Sequence, residues 1–187
     1  MTLAAHFQLM ARNNAWSNDR LHRACAQLSE AEYRARRVSF FPTLPLTLSH
    51  ILTVDWYYID ALTAGGRGYD VFEGDEPYAT LAELTAAQRD SDLTLIAFCD
   101  GLAAAADLER EVILDRREAG RFTETVAAVL GHLFIHQIHH RGQAHAMLSG
   151  TNVKPPQLDE FFLDQDLPLR QADLAGLALP ERPSYNR

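Results

Sequence analysis

The chain has 187 residues, 47% of them hydrophobic, and a formal charge of -8; this suits one domain with a sizeable core and argues against a nucleic-acid binder, which needs a basic face to displace phosphate counterions. No window approaches the roughly 20 apolar residues of a membrane span, and Met1–Arg12 lacks the basic start and apolar run of a secretory leader. Cys25 and Cys99 stand far apart and outside any Cys-x2-Cys spacing, which excludes a disulfide framework or thiolate zinc site and fits a reducing cytoplasm.

Leu3 to about Gln27 reads as the first helix, with Leu3, Phe7, Met10, Asn14, Leu21 and Ala24 recurring near the helical period. Trp16 is a large apolar anchor on it, and Asn13, Asn14 and Asn18 are amides able to bond across helices. Ser29 and Glu32 have capping-box spacing and open a short helix. Phe40-Phe41-Pro42 interrupts the chain, and Pro45 starts a second helix that runs to about Ala64 and stops at Gly65-Gly66. Apolar residues cover so much of this helix that it belongs at the centre of a bundle, with Ser49, Thr53, Asp60 and Thr63 left for solvent. His50 and Asp55 fall inside its apolar surface. A buried imidazole needs a partner, so His50 is either a satisfied core histidine or a metal ligand. Asp55 reads as a tether between helices.

Residues 65–79 form a glycine- and acid-rich connection long enough to cover a site. Thr80 and Glu83 repeat the capping box and open the third helix, expected to reach Ala106. Glu111–Asp115 admits an extended reading and, with the turn at Glu118-Ala-Gly120, a short hairpin. The fourth helix is expected from Phe122 to Ser149, ending at Gly150. Phe161-Phe162-Leu163 should dock on the helices, and after Pro168 a loosely packed tail is expected.

Four of the eight histidines lie between Gly131 and Gln143, namely His132, His136, His139 and His140. Positions four apart project from one helix face, so His132, His136 and His140 form a ladder on which two imidazoles can converge on one cation. His136-Gln-Ile-His139 lacks the glutamate of a His-Glu-x-x-His zincin helix, and the helix has no carboxylate after Glu124 for a di-iron centre. A nucleophile elbow of the Gly-x-Ser-x-Gly type is absent as well. What remains is two histidines from one helix with a third from another, the pattern of an open zinc site, which iron, nickel or manganese could also fill.

Three stretches together resemble the DinB/YfiT-like metalloenzymes: Asn14-Ala-Trp-Ser-Asn18; Phe40-Phe-Pro42 through Leu48-Ser-His50-Ile-Leu52 to Asp55; and His132-Leu-Phe-Ile-His136-Gln-Ile-His139-His140-Arg-Gly-Gln143. The resemblance spans about residues 3–165. It implies an all-α, four-helix bundle over residues 1–165, with residues 166–187 as a tail, and a metal site open to a cleft. Carried over by position, its histidine triad falls on His50, His136 and His140. His132 and His139 become neighbours, with His139 the runner-up ligand, and Asp55 or His139 could close the coordination sphere. The family further implies a divalent metal, zinc before nickel, iron or manganese, that activates a low-molecular-weight thiol such as bacillithiol or mycothiol toward an electrophile, as an S-transferase or thiol-dependent isomerase. Metal-assisted hydrolysis, or a non-catalytic stress-associated metal protein, would use the same ligands. Arg141 and Gln143 are the polar candidates beside the triad, Tyr57 is a candidate cleft residue, and a cytoplasmic homodimer is expected.

Overall fold

The computed structural model describes residues 1–73 and 78–179, so Gly74–Pro77 of the connection and the last residues of the tail lie outside the described residues. Caps set most of the helix starts. The Thr2 hydroxyl accepts from the Ala5 N–H to open α1 (Leu3–Cys25), and Ser29 and Glu32 close their capping box on α2 (Glu30–Tyr33). Thr43 caps α3 (Leu44–Thr63), with Pro45 in its first turn, where a missing N–H costs nothing. Thr80 and Glu83 form the second capping box, on α4 (Leu81–Asp100).

The expected third helix breaks at Gly101, because the Asp107 carboxylate accepts from the Ala103 and Ala104 N–H groups and starts a separate turn, α5 (Ala105–Glu109). The hairpin exists: β1 (Glu111–Asp115) pairs antiparallel with β2 (Arg121–Thr125), Glu111 opposite Thr125 and Asp115 opposite Arg121. Its second strand takes the residues expected to begin the fourth helix, and Thr125 then caps α6 (Val126–Leu148).

The four long helices pack in a ring, α1 against α4 and α6, and α3 against the same two. Two apolar clusters occupy the ends of this ring. One gathers Phe7, Tyr58, Leu95 and Leu133; the other gathers Leu21, Leu48, Leu84 and Leu148. From one cluster to the other, α1 and α6 run one way and α3 and α4 run back. Since α3 and α4 point the same way, the connection between them must return along the length of the fold, which accounts for its extent. Val71 sits in the first cluster and Tyr78 against the second.

Between the clusters lies a buried polar layer with members from all four long helices. Asp92 of α4 accepts from Asn14 (3.0 Å) and Asn18 (2.9 Å) of α1 and from Gln88 (3.3 Å). Gln88 also donates to Asp55 of α3 at 2.8 Å, and Gln137 of α6 donates to the other Asp55 oxygen. Arg141 donates to the Asn14 and Asn18 carbonyl oxygens. Asp55 is therefore the tether its position implied, and the Asn side chains do bond across helices. Burial pushes the Asp55 carboxyl up to about 7. It raises Asp92 as well, with the Asp55 charge adding to the effect. Burial lowers the Arg141 guanidinium to about 10, against the pull of the two carboxyls. Such a layer is costly to desolvate, and its bonds between helices form only when all four are in register.

Two further expectations fail. Ser49 and Thr53 are buried at 2% and 6% exposure, because α3 is enclosed by α4 and α6 and by the connection that passes over it. Part of the expected tail is also ordered: after the turn at Asp164–Asp166 the chain forms α7 (Leu167–Leu177), in which Pro168 sits in the first turn and opens a helix rather than breaking one. Arg170 and Leu177 are buried on this helix, and Phe161 packs on Trp16 with ring centres 5.5 Å apart, though Leu163 stays exposed. Among the described residues no helix is long and apolar enough to cross a membrane.

Candidate functional site

His136 and His140 are one turn apart on α6, and His50 reaches them from α3, which packs alongside. One ligand atom from each of the three lies within 4.8 Å of the others. His50 Nε2 and His136 Nε2 are 3.1 Å apart, and the His50 ring centre is 4.6 Å from that of His140. Nitrogens bound tetrahedrally to zinc are separated by about 3.4 Å, given bonds of roughly 2.0–2.1 Å. The donor set therefore fits a divalent ion with only small side-chain rotations. Among the described residues the group closes at three. Asp55 spends its oxygens on Gln88 and Gln137, and His139, exposed on α6, bonds through Nε2 to Gln143 at 3.0 Å.

The electrostatics keep these rings neutral. Burial, with the neighbouring His140, lowers His50 to about 4. Burial and then the crowd of imidazoles around it, His140 and His50 first, lower His136 to about 3. Burial lowers His140 too, although its bond to Gln143 opposes the shift. Neutral imidazoles present the lone pairs that a metal needs. His140 Nδ1 donates to Gln143 Oε1 at 2.9 Å, which leaves Nε2 as the donor atom toward the other two rings. Phe41, read from the sequence as part of an interruption and of a family-like stretch but given no role at the site, covers the cluster: its ring centre is 4.4 Å from that of His50 and 5.6 Å from that of His140.

A cavity of about 450 Å³ opens beside His50 and His136. Aromatic rings line it: Phe41, then Tyr57 and Tyr58 of α3, then Tyr69 and Phe72 from the connection. The connection does wall the site, through residues that precede its undescribed part. Tyr57 is a cavity residue as expected, but its hydroxyl is committed to the Asp115 carbonyl at 2.9 Å. His132 also lines the cavity; its ring lies 5.3 Å from Tyr58 and stacks toward His136 at 6.3 Å, as a neighbour of the cluster. Arg141, one of the two polar candidates, faces the polar layer instead. Sequence reasoning missed Arg116, just after the first hairpin strand, which is the one arginine lining the cavity among the described residues. Only its place beside the hairpin turn could have drawn attention to it.

The DinB family profile matches residues 1–169. A crystal structure of a DinB-like protein, YjoA from Bacillus subtilis, superposes with a TM-score of 0.56 at 16% identity, covering 80% of this chain and 96% of that one. At that identity the likeness speaks for the fold. No curated protein matches the chain.

Proposed function

This chain belongs to the DinB family, and on that premise we propose that it is a divalent-metal enzyme in which His50, His136 and His140 hold the ion beside a cleft. The observation that carries the proposal is the meeting of three neutral imidazoles, two of which, His50 and His136, line an aromatic cavity. The ring of four long helices and the matching solved fold support the four-helix-bundle reading. An ion bound by three histidines keeps a coordination position open and would lower the pKa of a thiol or water held there, zinc being the first expectation. Gln143 holds His140 in the required tautomer, and Phe41 shields the rings from one side.

The cavity has the size of an organic ligand's site and an aromatic wall, and a thiol cosubstrate would be held there as such a ligand. That thiol must come from solution. Cys25 and Cys99 are buried in the helix cores, burial pushes both up to about 12, and neither lines the cavity. The reading of the ion as a mere pin between helices would call for a fourth protein ligand, and the group closes at three among the described residues. A homodimer belongs to the same proposal, with the exposed Ile135 and Ile138 of α6 as the candidate contact. Sedimentation as a single species of 20.9 kDa would exclude it.

Protein purified without a nickel column should carry close to one equivalent of metal, lost in His136→Ala and in His140→Ala by elemental analysis. Undiminished metal in either variant sinks the triad. Consumption of bacillithiol, mycothiol or glutathione with a slowly reacting electrophile such as monochlorobimane should then exceed the uncatalysed rate only when the metal is present. Hydrolysis of the electrophile with no loss of thiol would replace the thiol reading by the hydrolytic one.

A further inference from the structure

The two arginines that flank the hairpin turn beside Arg116 are matched by carboxylates. Arg117 pairs with Asp70 at 2.5 Å and with Glu73 at 3.4 Å, and Arg121 lies 3.5 Å from Asp115. Arg116 sits instead on two tyrosines. Its guanidinium carbon lies 5.5 Å from the centre of the Tyr57 ring, and Nη2 donates to the Tyr58 hydroxyl at 2.9 Å. Among the described residues no carboxylate pairs with Arg116, and none lines the cavity. A guanidinium has five N–H donors in a planar fork that matches a carboxylate edge to edge. One is committed to Tyr58, and that bond with the ring contact holds the plane of the fork at the cavity rim.

We propose that Arg116 binds the carboxylate of a small organic ligand whose apolar body lies against Tyr69 and Phe72, so that the ligand spans the cavity from the hairpin to the histidine cluster. This rests on the metal-site reading only for what happens at the far end of the ligand; the carboxylate subsite stands on the hairpin and α3. The aromatic wall supplies area with little conformational cost, and the single cation fixes which end of the ligand faces outward. The acidic partner is either the electrophilic substrate or the thiol cosubstrate, since both classes commonly carry carboxylates and the same fork would serve each. In a chain of net charge -8, a cation left to two tyrosines at the mouth of an aromatic cavity is placed to select an anion against the field of the rest of the protein.

The probes are 3-phenylpropionate and its neutral amide, titrated calorimetrically into zinc-loaded protein and into protein stripped of metal. The acid should bind about ten-fold more tightly than the amide in both forms. Arg116→Gln should remove that preference while leaving amide binding and zinc content unchanged, and Arg116→Lys should restore part of it. Tyr58→Phe, which frees the fork without removing its charge, should weaken the acid only a few-fold. A preference that survives Arg116→Gln, or that appears only with zinc present, places the carboxylate on the ion and overturns the proposal. Failure of both probes to bind overturns it too. If zinc is not retained but the stripped protein shows the Arg116-dependent preference, the metal reading fails and this one stands. A preference for a free carboxylate-bearing thiol over phenylpropionate would assign the subsite to the cosubstrate, and the reverse order to the electrophile.

Discussion

Replacing Asp55 by Asn removes an ionisable group from the centre of the polar layer while keeping its shape. Asp55 accepts from Gln88 at 2.8 Å and from Gln137, and it is 1% exposed. Burial raises its carboxyl from 3.8 to about 7. Folding thus raises this pKa above its unfolded value, so the folded chain binds the proton more tightly. The resulting stability is fully present below the unfolded pKa and is lost as pH rises through about 7. At 1.36 kcal/mol per pH unit, a shift of that size corresponds to about 4 kcal/mol across the whole interval. The amide offers an acceptor oxygen and an NH2 group with two donors, against the single donor of the protonated acid, and the side-chain oxygens of both Gln88 and Gln137 are buried without a partner among the described residues, so either can turn to receive an N–H. Below the unfolded pKa of 3.8 the variant should therefore lie within about 1 kcal/mol of the parent, and by pH 5 it should already have gained roughly 1–2 kcal/mol. Toward pH 8 it should gain on the parent by up to about 3 kcal/mol. Urea denaturation of both proteins at each pH, with chelator present, measures the difference; groups that do not feel Asp55 cancel from it, and Asp92, which the Asp55 charge helps to raise, adds to the effect in the same direction. A difference that stays flat from pH 5 to 8, or that grows in the parent's favour with pH, would refute the account of a carboxyl held protonated by burial.

Two other perturbations read separate parts of the structure. Gln143→Leu removes the group that fixes the His140 tautomer at 2.9 Å. It should weaken zinc binding by about 10–100-fold in competition with a chromophoric chelator, with little change in the melting of the metal-free protein; unchanged affinity would show that the bond orients nothing. Asp173→Ala unfastens α7 from α1, because this carboxylate accepts from Trp16 Nε1 (3.2 Å), Arg20 (2.7 Å) and Arg23 (2.6 Å). The loss should be about 1–3 kcal/mol, seen in hydrogen exchange as faster exchange confined to α7, whereas exchange that speeds equally in all four long helices would mean that α7 is part of one cooperative unit.

What could be read from the letters was what repeats locally. The capping boxes at Ser29/Glu32 and Thr80/Glu83 act within four residues, and both form as their spacing implied. The spacing of His136 and His140 likewise fixes their common face before any tertiary contact is known. His50 could be noticed only because it stood among apolar neighbours, and its meeting with residues 86 positions later is a tertiary fact. The polar layer was legible only in fragments, as amides on one helix and a buried aspartate on another. Its bonds run between residues as many as 127 apart, and nothing local singled out the glutamine and aspartate that α4 buries in it. The last helix was misread for a different reason: Pro168 was taken as the start of irregular chain, although proline is as much at home in a first helical turn.

On α6 the dipeptides His136-Gln137 and His140-Arg141 each place an imidazole next to a member of the polar layer, about 100° around the helix. The helix is thereby keyed at two heights, like a shaft held by splines. A side-chain tip lies roughly 5–6 Å from the axis, so turning the helix by about 20° would carry each imidazole through about 2 Å, a whole metal–nitrogen bond length. The angular setting of the histidines is thus held from an adjoining face of their own helix by Gln137 on Asp55 and Arg141 on Asn14 and Asn18. Mutations in that layer can detune the site without touching any residue that faces it.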